Sequence, residues 1–140
     1  MIDYDNLQKS LKRLELQFHN YTRVNERPGL TQLDREAIAE SVIQRFETCY
    51  DTLWKHLKRY LVQELGLPEV PNSPKPVFRL AAENNLLSHP LETWLRFADA
   101  RIQTAHDYSG EKAGECLAQM PAFIANAIAL YQTLTGKPWR

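Results

Sequence analysis

Residues Thr31–Leu65 read TQLDREAIAESVIQRFETCYDTLWKHLKRYLVQEL. Ile38, Val42, Phe46, Leu53, Leu57 and Leu61 recur through them at helical spacing, with no strand-type alternation. Thr31-x-x-Asp34 is a capping-box variant at the start, and Gly66 follows the end. Thirty-odd residues rising about 1.5 Å each reach about 50 Å. A helix over roughly residues 31–65 therefore runs the full length of the domain, and the rest of the chain has to pack beside it.

Upstream, Tyr4, Leu7, Leu11, Leu14, Phe18 and Tyr21 form an amphipathic seam, with Asp3 placed as N-cap and Pro28-Gly29 as the break. Downstream, Gly66–Pro76 holds four of the eight prolines and reads as a rigid connector. Ser73-Pro74 suits the N-cap and first position of a short helix that buries Val77, Leu80 and Ala81 and ends at Asn84-Asn85. Ser88-His89-Pro90 opens a fourth helix with the stripe Leu91, Trp94, Leu95, Ala98, Ile102 and Ala105, closed by Ser109-Gly110. The last segment, Glu111 to Leu134, carries Leu117, Met120, Phe123, Ile124, Ala127, Leu130, Tyr131 and Leu134. Pro121 should kink or split it, and Ala122, Ala125, Ala127 and Ala129 would allow close helix approach. The expected fold is all-α: an up-and-down four-helix bundle with an extra short helix, one domain over residues 1–140.

At 140 residues and 44% hydrophobic, the chain can bury one core and is too short for two ordinary domains. Lys+Arg 17 against Asp+Glu 17 gives no net charge, so any contact with RNA must be local and not a matter of bulk electrostatics. Cys49 and Cys116 are too few for a disulfide scaffold and lack metal-ligand spacing. Neither a signal peptide nor a membrane span is evident: the longest apolar candidate, Ala122–Leu130, is short and interrupted by Asn126. A soluble cytoplasmic protein with no cofactor and no metal is the expectation.

One cluster combines an anion binder, a group that titrates near neutral pH and a hydroxyl: Arg101, His106 and Tyr108. His106 has the chemistry to take a proton from a ribose 2′-OH or to protonate the leaving oxygen. Arg101 would stabilise charge on the phosphorus and Tyr108 would help position the phosphate. At about 100° per residue, Arg101 and Tyr108 share a face while His106 lies about 140° away. Convergence then needs unwinding near Ala105 or a second chain. Cations at a helix C-terminus and a rim tyrosine explain the same letters. Lys55, Lys58 and Arg59, with His56 beside them, form an outward basic run on the long helix. It reads first as a solvated face and second as a phosphate-contacting patch.

Arg101, four residues, His106, one residue and Tyr108 match the Arg-x4-His-x-Tyr motif of the HEPN superfamily. More closely, the chain resembles the nucleotidyltransferase substrate-binding protein family. That likeness rests on Val42-Ile43-Gln44-Arg45-Phe46-Glu47, on Leu53-Trp54-Lys55 with Leu57-Lys58, and on Ser73-Pro74 followed by a short helix. The resemblance implies a homodimer formed through the helices around the motif, and a minimal nucleotidyltransferase as partner. It brings two functional pictures. In one, the chain is a non-catalytic subunit that binds substrate for the partner transferase; on the residues' own chemistry, Arg101, Lys55 and Arg59 are the candidates to contact a nucleotide or RNA. In the other, it is a metal-independent ribonuclease toxin using Arg101 and His106, silenced when the partner transfers AMP to Tyr108. Ile102 stands where many members carry Asn or another polar residue, and it extends the apolar stripe.

Overall fold

The structure is a computed structural model that describes residues 1–105 and 110–140. Helix α1 (Asp5–Thr22) starts where Asp3 Oδ1 accepts the Asp5 backbone N–H at 2.9 Å. The N-cap position itself is Tyr4, so Asp3 acts from one residue further out than expected. Leu7, Leu11 and Leu14 are fully buried, and a 3-10 turn at Val24–Glu26 leads to Pro28-Gly29. Helix α2 (Gln32–Gln63) opens with both halves of the capping box. Thr31 Oγ1 accepts from the Asp34 N–H at 3.0 Å, and Asp34 Oδ2 accepts from the Thr31 N–H at 2.9 Å. After α2, Gly66 takes a left-handed φ of 64°, and the Leu67 N–H returns to the Leu61 carbonyl at 3.1 Å.

Helix α3 (Pro74–Glu83) has Ser73 as N-cap and buries Val77, Phe78 and Ala81. Asn84 caps its end, and Asn85 takes a left-handed φ of 59°. Helix α4 (Leu91–Thr104) follows, then α5 (Gly110–Thr135). Helices α1, α2, α4 and α5 make the bundle: α1 packs on α2 and α5, α2 on α4 and α5, and α4 on α5. Short α3 covers the seam between α2 and α4. The fold is all-helical, and no strand occurs among the described residues.

Six rings from four helices close a circuit in the core. Tyr50 meets Phe46 (5.9 Å), Phe46 meets Phe123 edge-on (4.9 Å), and Phe123 meets Phe97 edge-on (5.2 Å). Phe97 then meets Trp94 (5.3 Å), Trp94 stacks on Phe78 (4.9 Å), and Phe78 returns to Tyr50 (6.0 Å). Edge-to-face pairs of this kind add specificity to the area that they bury. The circuit fixes α3 and α4 against α2 and α5.

Several details depart from the pattern read in the sequence. Helix α4 turns Trp94, Phe97, Ala98 and Thr104 inward, while Ile102 is 53% exposed, so the stripe is rotated toward Phe97 and away from Ile102. His56 is not on the outward face with its basic neighbours. It is 5% exposed, with Nδ1 at 2.7 Å from the Thr52 carbonyl and Nε2 at 3.0 Å from the Asp3 carbonyl. Of the kink or split expected at Pro121, the split does not occur: α5 is one helix, with the proline at an exposed position inside it. Of the four alanines expected at close contacts in that helix, only Ala127 is buried. By length and composition α5 is also long and apolar enough to cross a membrane, which the short window Ala122–Leu130 did not suggest. Here its buried face packs against α1, α2 and α4 as a core helix.

Candidate functional site

The last turn of α4 delivers Arg101 to the flank of α2. Its Nε donates to Asp51 Oδ1 (3.2 Å) and its Nη2 to Asp51 Oδ2 (3.1 Å), a side-on bidentate pair. Its Nη1 donates to Glu47 Oε2 at 3.0 Å. Thr104, one turn further along α4, donates from Oγ1 to the same Glu47 oxygen at 2.9 Å. Glu47 and Asp51 stand four residues apart on α2, and Arg101 and Thr104 three apart on α4, so each helix presents one face to the other. The side chains grade outward: Glu47 is 14% exposed, Arg101 26% and Asp51 39%.

Beside this cluster opens a cleft of about 520 Å³, walled by Tyr50, Pro74, Pro76, Ala98, Ile102 and Ala105. Asp51, Ser73, Lys75 and Arg101 complete its lining, whereas Glu47 and Thr104 do not line it. The exposed Ile102 is therefore a cleft-wall residue. The Tyr50 hydroxyl is buried there with no hydrogen-bond partner among the described residues. Burial raises its pKa, and the Asp51 carboxylate raises it further. Across the cleft, Lys75 of α3 bonds Asp99 of α4 at 2.6 Å and holds the two helices together.

The other residues singled out from sequence fall as follows. Helix α4 ends at Thr104 with Ala105 as its C-cap, and His106 and Tyr108 lie outside the described residues. Lys55 and Arg59 are exposed on α2, one and two turns beyond Asp51, about 6 and 12 Å along the helix. Lys55 lies over the Trp54 ring at 5.9 Å, and Lys58 bonds Asn72 Oδ1 at 3.1 Å. The described partners of Arg101 are instead Glu47 and Asp51, with Thr104 joined through Glu47. These three were not singled out, although the sequence holds a signal for two of them. Two carboxylates at i,i+4 destabilise an isolated helix, so a Glu47-Asp51 pair calls for a cation from elsewhere. Among the described residues, no group of three His, Cys, Asp or Glu side chains is arranged to hold a metal ion. A larger cleft of about 990 Å³ lies among Tyr4, Tyr60, Glu64, Tyr131 and Pro138, and none of the predicted site residues lines it.

The family described as nucleotidyltransferase substrate binding protein like matches residues 2–136. The chain belongs to this family. As a member it shares its fold with HI0074 of Haemophilus influenzae, described as the fold of a substrate binding domain of a nucleotidyltransferase. The two align with a TM-score of 0.83 at 24% identity, over 94% of this chain and 98% of that one. The protein ttk003001694 of Thermus thermophilus aligns with a TM-score of 0.66 at 26% identity, over 87% of this chain and 98% of that one. No curated protein matches the chain. The family membership and the helical bundle agree with the resemblance carried by the sequence motifs.

Proposed function

We propose that this chain is the helical, substrate-binding partner subunit of a minimal nucleotidyltransferase, acting as a cytoplasmic homodimer. Its nucleotide- or RNA-facing surface is the α2–α4 corner around Arg101. The observation that carries this reading is the family match over residues 2–136. The geometry supports the location: Arg101 lines a cleft, and Lys55 and Arg59 continue along the same flank of α2 as cations.

The finer reading is a toxin–antitoxin pair, supported by the string Arg101-x4-His106-x-Tyr108. In it, a ribose 2′-oxygen attacks the adjacent phosphorus, His106 handles the proton, and the 5′-oxygen leaves. The partner silences the site by moving AMP from ATP to the Tyr108 oxygen, releasing pyrophosphate and the phenol proton. The family match over residues 2–136 supports a partner subunit directly, whereas the toxin rests on the motif string alone, so the partner-subunit reading stands first.

Expression of the chain alone and together with a minimal nucleotidyltransferase tests both readings. Co-purification of the two proteins supports the partner reading, and its failure under conditions where both are folded removes it. RNA breakdown and growth arrest from the lone chain, abolished by His106→Ala and relieved by the partner, would establish the toxin. Intact RNA with folded, unmodified chain would sink it.

A further inference from the structure

Arg101 is held from two sides by carboxylates that differ in kind. Glu47 is the more buried, takes a second hydrogen bond from Thr104, and does not line the cleft. Asp51 is the most exposed member of the cluster and lines the cleft with Arg101. A carboxylate and a phosphate present the same pair of oxygens to a guanidinium fork, so they compete for one edge of it. Exposed ion pairs exchange partners easily because water offsets most of the cost of parting, whereas a buried and doubly bonded carboxylate stays in place.

From this asymmetry we propose that Asp51 is a gate on Arg101 and Glu47 its anchor. In the resting subunit the Asp51 carboxylate fills the side-on edge of the guanidinium. A phosphate-bearing ligand whose apolar part lies in the cleft takes the side-on edge of Arg101 by displacing Asp51, while Glu47 and Thr104 keep the arginine aimed. The cleft suits such a ligand: its lining is mostly proline, alanine, isoleucine and tyrosine, with Asp51, Ser73, Lys75 and Arg101 as the polar members. The inference rests on reading Arg101 as the anion-facing residue, and it adds the device that controls access to it.

The test is calorimetric titration of the purified chain with AMP, and with inorganic phosphate to separate the cleft's contribution. A gate closed about nine-tenths of the time weakens apparent affinity about tenfold, so Asp51→Asn should bind AMP about tenfold more tightly than the parent. Adding Arg101→Gln to Asp51→Asn should abolish the gain. Glu92→Gln removes the same charge from an exposed position on α4, two and a half turns before Arg101 and outside the cleft, and should leave affinity within about twofold. Glu47→Gln should lower the melting temperature without tightening binding. The gate is overturned if folded Asp51→Asn binds AMP no better than the parent, if its gain survives Arg101→Gln, or if Glu92→Gln gives the same gain. Co-purification with a nucleotidyltransferase, measured on the same preparations, keeps the two ideas apart. A chain that still binds its partner but shows no Asp51→Asn gain loses only the gate.

Discussion

By hydropathy alone a guanidinium in the last turn of α4 would face water and Ile102 beside it would face the core. Instead Ile102 is 53% exposed, while Arg101, paired with Glu47 and Asp51, keeps only 26% of its side chain exposed. Apolar counting cannot see this, since it ranks residues singly while the burial of a charge is decided by its partners. Truncating the arginine takes the guanidinium away from the partly buried Glu47 and from Asp51. Arg101→Ala should therefore destabilise the fold by about 1–3 kcal/mol, read as a lower urea midpoint with unchanged slope. The thiols behave in the opposite sense. Cys49 and Cys116 are free and buried, and burial pushes both up to about 12. In the folded chain at pH 8 both should resist alkylation for hours, while in denaturant both should react fully, as a mass spectrum would show.

Among the elements, α2 was the most legible part of the chain. Its apolar spacing, its capping box and the stop at Gly66 all point to one helix, and all three are present. The box also makes α2 sensitive to acid. The Thr31 backbone N–H and then its hydroxyl hold the Asp34 carboxyl below the usual carboxylate range. A lowered folded pKa contributes stability that is fully present above the ordinary carboxylate value and is lost as pH falls through the lowered one. Melting curves from pH 6 downward should show this loss, and Asp34→Asn should remove that part of the pH dependence. Thr31→Ala should cost about 1 kcal/mol at pH 7. Helix α4 was the least legible element, because its inward side mixes Trp94, Phe97 and Ala98 with Arg101 and Thr104. A Phe97 one position out of the assumed stripe was enough to turn the reading by most of a residue step.

For the whole molecule, the bundle was readable because four long helical patterns joined by turn signals leave few other ways to bury the apolar faces. What the pattern could not supply was the ring circuit, since contacts between α2, α3, α4 and α5 depend on three-dimensional neighbours. Phe123 is its hub, fully buried and touching Phe46, Phe97 and Trp94. Phe123→Ala should cost about 3–5 kcal/mol and loosen the seat of α4, lowering the thermal midpoint and the protection of α4 amides together. Of the candidate site, the motif singles out Arg101, whereas the acidic pair that holds it depends on the packing of α4 on α2.

If this bundle serves as one half of a nucleotidyltransferase pair, the two halves must meet in solution. Gel filtration with light scattering on the purified chain mixed with a minimal nucleotidyltransferase reads this without intermediate steps. A new species whose mass equals a defined stoichiometry of the two proteins is the predicted result. Two separate peaks at the masses of the unmixed proteins, with both shown to be folded, would refute the pairing.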